Sequence, residues 1–183
     1  MNLQIRPACL QQTGLLEQLI ARSIRKLGAP YYTPAQIEAA LRGAFGVDTQ
    51  LIRDRTYFVV ERDGSIVACG GWSYRHTLFG SDARAQRDAG RLDPTRHAAR
   101  IRAFFVDPDC PRQGIGTALL DHCEAAARAH GFTSCELLAT LPGVRLYAAR
   151  GYVKQPSLLH PLEPGLDIEF VPMRKNLVDV SPI

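Results

Sequence analysis

The chain has no run of about 18 consecutive apolar residues, so no segment reads as a membrane-spanning helix. Its five cysteines, Cys9, Cys69, Cys110, Cys123 and Cys135, are odd in number and form no C-x-x-C pair. That excludes a disulfide framework and the usual zinc spacing, and it points to reduced thiols with no metal. Aromatic residues are 8% of the total, and no basic stripe is interleaved with them, so nucleic acid is not an expected partner. There is no internal repeat, low-complexity segment or linker. Met1 to Cys9 is too polar for a signal-peptide core, so a cytoplasmic location without a membrane partner is the expectation.

The 183 residues are 46% hydrophobic and 22% charged, which fits a single domain over 1–183 with a substantial core. The net charge of +4 arises from 22 basic and 18 acidic side chains. Arginines concentrate from Arg84 to Arg102, where two readings stand: a solvated loop, or an electropositive rim near an anionic ligand. Cys69 and Cys135 lie in apolar runs and read as small core residues, whereas Cys110 falls in a glycine-bearing turn and reads as accessible.

Leu3 to Arg6 alternates like a short strand, and Leu15, Leu16, Leu19, Ile20 and Ile24 recur at helical spacing up to Gly28. A second helix opens with Thr33 as cap, Pro34 at its first position and Gln36 completing a capping box; Gly46 is its expected end. Tyr57–Val60, Asp63-Gly64 and Ile66–Trp72 form a hairpin signal, with Trp72 read as core. Arg75 to His97 has no period and reads as a long loop with one helical turn near Ala83 to Asp88. Later elements are a strand at Ser134–Ala139, a short helix at Val144–Ala149, strands at Tyr152–Leu159 and Leu166–Met173, and a loose tail from Asn176. This order, with one parallel crossover among antiparallel neighbours, specifies an α/β mixed sheet with helices on both faces.

The organising stretch lies between, from Ile101 to His130. A β-rich run, Ile101–Val106, ends at Asp107-Pro108, and Arg112-Gln113-Gly114-Ile115-Gly116-Thr117 opens a helix. Ile115, Ala118, Leu119, Cys123 and Ala126 mark the expected buried face of that helix, which His122 shares. Unpaired backbone N–H groups at such a helix start, beside the positive end of its dipole, suit a phosphate. The turn is neither a Walker A loop, lacking Gly-Lys-Ser/Thr, nor a Rossmann fingerprint, lacking the third glycine.

Phe105-Val106-Asp107-Pro108 followed by Arg112 to Leu120 resembles motif A of the GNAT superfamily of acyl-CoA N-acyltransferases. Leu146-Tyr147-Ala148-Ala149-Arg150-Gly151-Tyr152 resembles motif B of the same family, and the element order matches its fold. Two departures stand out: Pro111 occupies the first position of the family's Q/R-x-x-G-x-G/A pattern, and Thr140 replaces a common asparagine. The resemblance implies a mostly antiparallel central sheet whose fourth and fifth strands form a parallel, splayed pair. It also implies acetyl-CoA as co-substrate. Gln113, Gly114, Ile115, Gly116 and Thr117 would hold the pyrophosphate with charge from Arg112, and Phe104, Phe105 and Val106 would pair with the pantetheine arm. A backbone N–H at the end of that strand would stabilise the oxyanion, and Tyr147 would protonate the leaving thiolate.

The resemblance thus implies an N-acetyltransferase acting by direct attack of a primary amine of a small molecule or peptide. A non-catalytic acyl-CoA-binding module of the same fold is the alternative. Glu136 and His76 are both candidates for a general base, and no base at all is a third option; His97, His130 and His160 show no constellation. Tyr31 and Tyr32 either line the acceptor pocket or are half-buried loop aromatics. A homodimer is left open.

Overall fold

Ile66 to Trp72 is a nearly unbroken apolar run, and it becomes the centre of strand β3, Ser65–Ser73, which is buried from Val67 onward. The structure is a computed structural model that describes residues 3–84, 88, 90–110 and 112–178. Around β3 lie β1 (Leu3–Pro7), β2 (Tyr57–Arg62), β4 (Ala99–Val106), β5 (Ser134–Thr140), β6 (Val153–Lys154), β7 (Leu158–Glu163) and β8 (Leu166–Asn176). Their order is β1-β2-β3-β4-β5-β8-β6, with β7 also paired to β8. All these pairs are antiparallel except β4–β5, as the element order required.

Two cores flank the sheet. On one face α4 (Ile115–Ala129) and α5 (Val144–Ala149) cover Trp72, Ile101, Cys135 and Leu137. On the other α1 (Thr13–Gly28), α2 (Pro34–Leu41) and α3 (Thr49–Arg53) cover Tyr57, Val59, Cys69 and Phe105. Among the described residues no helix is long and apolar enough to cross a membrane.

The local signals mostly hold. Asp63 and Gly64 adopt φ of 49° and 79°, the left-handed pair a tight hairpin turn requires. At the start of α2 the Gln36 N–H donates to Thr33 Oγ1 at 3.2 Å, and the Thr33 N–H donates to Gln36 Oε1 at 2.8 Å. That helix ends at Leu41 rather than Gly46, because the chain turns there to bury Phe45 and Val47. The buried face of α4 is rotated from the expected one. Leu120, Glu124 and Ala127 are inside, Ala118 and Ala126 are half-buried, and His122 stays outside against the Phe58 ring. The expected strand over Tyr152–Leu159 divides into β6 and β7 around Pro156, and β8 extends past Met173 to Asn176, the first residue of the expected tail, with Leu177 buried; residues 179–183 of that tail lie outside the described residues. The helical turn expected near Ala83–Asp88 lies in part outside the described residues.

Helix α3 was not anticipated, and its start carries the structure's main polar anchor. The carboxylate of Asp48 caps α3, accepting from the Gln50 N–H at 3.0 Å, and it also accepts from Arg102 on β4 at 2.9 Å. Both side chains of that ion pair are almost fully buried. The same guanidinium donates to the carbonyls of Thr77 and Gly80, each at 2.9 Å, so it fastens the long loop after β3 onto the sheet. Arg102 is therefore not part of a solvated arginine-rich loop.

Tyr32 is a second anchor, 5% exposed; its hydroxyl donates to Glu169 O at 2.9 Å and accepts from the Leu141 N–H at 2.8 Å. It thereby ties the α1–α2 turn to β8 and to the chain just after β5.

Removing one partner of the buried pair should be costly. Asp48→Ala is expected to lower unfolding stability by about 3–5 kcal/mol in urea denaturation, because the Arg102 charge stays buried without its carboxylate. Burial pushes the Tyr32 phenol up to about 12 from its ordinary 10. The unfolded chain therefore loses this proton first, and the stability it contributes is complete below about pH 10 and lost as pH rises towards about 12. Urea midpoints measured across that range should fall less steeply for Tyr32→Phe than for the natural chain.

Candidate functional site

The site begins with an interruption in strand pairing. β4 and β5 are in parallel register only at Ala99↔Cys135 and Arg100↔Glu136, and beyond Arg100 they diverge. The divergence coincides with a bulge on β4. Arg102 stands opposite Gly71 and Phe105 opposite Cys69, so Ala103 and Phe104 together face Gly70. Ala103 has φ of 52°, an uncommon left-handed conformation for a residue with a side chain. Its carbonyl accepts a hydrogen bond from the Tyr57 hydroxyl at 3.1 Å, which holds the bulge from the neighbouring strand. Two glycines make room. A Cβ on Gly70 would lie 2.6 Å from the Phe104 ring, and one on Gly71 would lie 2.3 Å from Thr56 O.

The resulting wedge holds a narrow inner cavity of about 60 Å³ between Arg102–Phe105 of β4 and Leu137, Leu138 and Thr140 of β5. Tyr147 of α5 closes one wall, its ring edge-on to Phe104 at 6.4 Å and to Tyr152 at 5.7 Å. Burial, and secondarily the nearby Cys123, push the Tyr147 phenol well above its ordinary value, so it remains protonated and able to donate.

Next to the wedge lies a wider trough of about 490 Å³, formed by Val106, the turn Arg112–Thr117, Arg145 and Leu146. Adjacent residues link the two spaces: Phe105 and Tyr147 line the cavity, Val106 and Leu146 the trough. Gly114 caps α4 with φ of 75°, and a Cβ there would meet no protein atom within 4 Å. The first turn of α4 has neither a side-chain cap nor an acidic residue, which leaves its N–H groups for a ligand. Asp107 borders the trough, but its carboxylate is paired with Arg22 and accepts from the Asp109 N–H at 2.9 Å. Lys26 holds Asp109 at 2.5 Å, so α1 steadies the approach to the turn and keeps those acids occupied. An anionic, partly apolar ligand fits this trough; Pro111 lies outside the described residues.

Other expected site residues are placed unevenly. Phe104, Phe105 and Val106 border the two spaces, and Arg112, Gln113, Gly114, Ile115, Gly116 and Thr117 all line the trough. The Gln113 side chain accepts from Arg62 of the hairpin, whose guanidinium also donates to Cys110 Sγ at 2.8 Å. Cys110 is thus buried rather than accessible. Arg145, which lines the trough from α5, and Arg62, which reaches Gln113 and Cys110 from the hairpin, were missed because each comes from an element remote in sequence from the turn. Glu136 is ion-paired with Arg100 at the closed end of the wedge, outside the cavity lining. His76 lies near His97 in the long loop, also outside that lining. Tyr31 is 54% exposed, and Tyr32 is the anchor described above. His160 was passed over, yet it packs against Phe79 and Phe170 of the cavity wall at 4.7 and 6.2 Å. Among the described residues no group of three His, Cys, Asp or Glu side chains is placed to hold a metal ion.

Comparison with known proteins bears on this arrangement. No curated protein sequence matches the chain. A GCN5-related N-acetyltransferase structure from Rhodopseudomonas palustris superposes with a TM-score of 0.71 at 19% identity, covering 96% of each chain. The paia N-acetyltransferase from Thermoplasma acidophilum, solved with coenzyme A, gives 0.66 at 14% identity over 96% of this chain and 99% of its own. The yncA protein from Salmonella typhimurium, solved with acetyl-CoA, gives 0.63 at 15% identity over 100% and 98%. These likenesses establish the fold. The family model for the acetyltransferase (GNAT) family matches residues 18–152, most of the chain and both motifs, and the chain belongs to that family.

Proposed function

We propose that this protein is an acetyl-CoA-dependent N-acetyltransferase that transfers the acyl group to a primary amine by direct attack, within one domain formed by its 183 residues. The observation that carries this reading is the trough at the α4 N-terminus lying beside the wedge at Tyr147, with the neighbouring pairs Phe105-Val106 and Leu146-Tyr147 bordering one space each. Acetyl-CoA-bound and CoA-bound relatives of the same fold support the choice of ligand.

In this reading the amides of the α4 first turn bind the pyrophosphate, and Arg112 and Arg145 add charge at the rim. Gly114 lets phosphate oxygens approach the backbone at a φ that a larger residue resists. Leu146, Ala149 and Pro142 offer an apolar side for the pantetheine arm, whose amides pair with the unpartnered edge of β4. The thioester is the electrophile that acetyl-CoA supplies when bound. The acceptor amine attacks its carbonyl carbon, an N–H of the bulged segment receives the developing oxyanion, Tyr147 donates its proton to the sulfur as the carbon–sulfur bond breaks, and the proton shed by the nitrogen passes through solvent to restore the Tyr147 phenol. One oxyanion donor of this kind contributes roughly 2.7–4 kcal/mol.

Two variants test the assignment. Tyr147→Phe should lower kcat for acetyl transfer by about a hundredfold or more while CoA affinity by calorimetry stays the same; unchanged turnover removes Tyr147 from the mechanism. Gly114→Ala should weaken CoA binding about tenfold (~1.4 kcal/mol) and cost roughly 1–2 kcal/mol of stability through its left-handed backbone. CoA binding by the natural chain without transfer to any amine would instead favour the non-catalytic module.

A further inference from the structure

The inner cavity is walled by rings. Phe45, Phe79, Phe104, Phe105 and Phe170 line it, with Leu78 and Leu138 between them. Phe45 meets Phe105 and Phe170 edge-on at 6.0 Å, and Phe79 lies 5.5 Å from Phe170, so the wall is a packed aromatic surface. Among the described lining residues the only charged side chain is Arg102, and its guanidinium is held by Asp48, Thr77 O and Gly80 O. No described carboxylate lines the cavity.

A surface depression reaches the same wall at Ala44, bordered by Arg42, Arg84, His160 and Glu163. It shares no residue with the trough and one, Ala44, with the cavity, which puts it on the side of the wall away from the α4 turn. Its charges do not favour a cation. Arg42 neutralises Glu163, the Arg84 guanidinium lies 4.1 Å over the Phe79 ring, and desolvation and Arg84, opposed in part by Asp167, hold His160 below its ordinary value. A second ammonium group on an acceptor would meet Arg84 outside and a carboxylate-free aromatic wall inside.

We propose that the acceptor is a primary monoamine with an aromatic or branched aliphatic body, and that the phenylalanine-lined cavity delivers its amine in the neutral form. The proposal rests on the acetyltransferase reading above and narrows it. A buried cavity with no described carboxylate and with the Arg102 guanidinium in its wall disfavours the ammonium form of an amine and so releases the lone pair the reaction needs. This accounts for a site in which Glu136 is tied to Arg100 and no described carboxylate or histidine stands beside Tyr147.

The test measures thiol release from acetyl-CoA by the full chain, with phenethylamine, 3-methylbutylamine, spermidine and a lysine-rich peptide as acceptors, alongside CoA calorimetry. The expected result is a kcat/KM for the two monoamines roughly tenfold or more above that for spermidine and the peptide. Phe79→Leu should keep this order, and Phe79→Glu should shrink or reverse it, with CoA affinity unchanged in both because Phe79 lies outside the trough. Preference for spermidine or the peptide, with CoA binding and transfer intact, overturns the acceptor class and leaves the acetyltransferase reading standing. Faster turnover with butyryl-CoA and no discrimination among amines assigns the cavity to the acyl chain and also overturns the proposal. Absence of CoA binding in the natural chain overturns both.

Discussion

The structure depends on a pairing that stops. β4 and β5 share two register positions and then part, and the bulge at Ala103-Phe104 turns β4 away where they separate. An unpaired strand edge inside a sheet is unfavourable unless something else meets its polar groups. Here the surroundings hold it open: the Tyr57 hydroxyl takes the Ala103 carbonyl, Gly70 accommodates the Phe104 ring, and Gly71 lets β2 stay close. The buried Asp48–Arg102 pair anchors β4 one residue before the bulge and carries the long loop with it. The interruption is thus a maintained feature of the fold, and it offers a site for an extended ligand bearing amides.

Function follows from what surrounds the opening. At its wide end, α4 starts on a left-handed glycine with no acidic residue or capping side chain to compete for its N–H groups, and α1 occupies the nearby acids Asp107 and Asp109. At its narrow end the chain supplies one phenol, kept protonated by burial, and a wall of phenylalanine. The two ends differ in character: one offers helix N–H groups that suit an anion, and the other is ringed by phenylalanine with no described carboxylate. Consecutive residues of β4 and α5 bridge them, so a ligand bound at the trough is aligned with Tyr147 by the same two elements.

Much of this was legible in the residues. Gly114 and Gly116 at the start of a periodic helix, the Thr33–Gln36 capping box and the Asp63-Gly64 hairpin each act locally, so their signals survive without tertiary context. The bulge did not show, because Ala103 is neither glycine nor a turn former and Ile101–Val106 reads as an ordinary strand. Its cause lies across the sheet, in Tyr57 and Gly70. Arg102 looked like one of a run of surface arginines, since its partner Asp48 is distant in sequence and caps a helix with too few residues to show a period. His160 and Phe79 had no pattern of their own, and they meet only where β7 and the long loop converge. The phase of α4 shifted because the helix buries Glu124, which Lys175 neutralises at 2.7 Å, a contact between distant segments.

The most direct measurement is amide hydrogen exchange, resolved by residue, with and without CoA. If the parted strands and the α4 turn form one continuous binding surface, CoA should slow exchange at Phe104–Val106 and at Gly114–Thr117 together, leaving Ala99 and Arg100 at the closed end unchanged. Protection of the α4 turn alone, or of neither segment, would contradict the account.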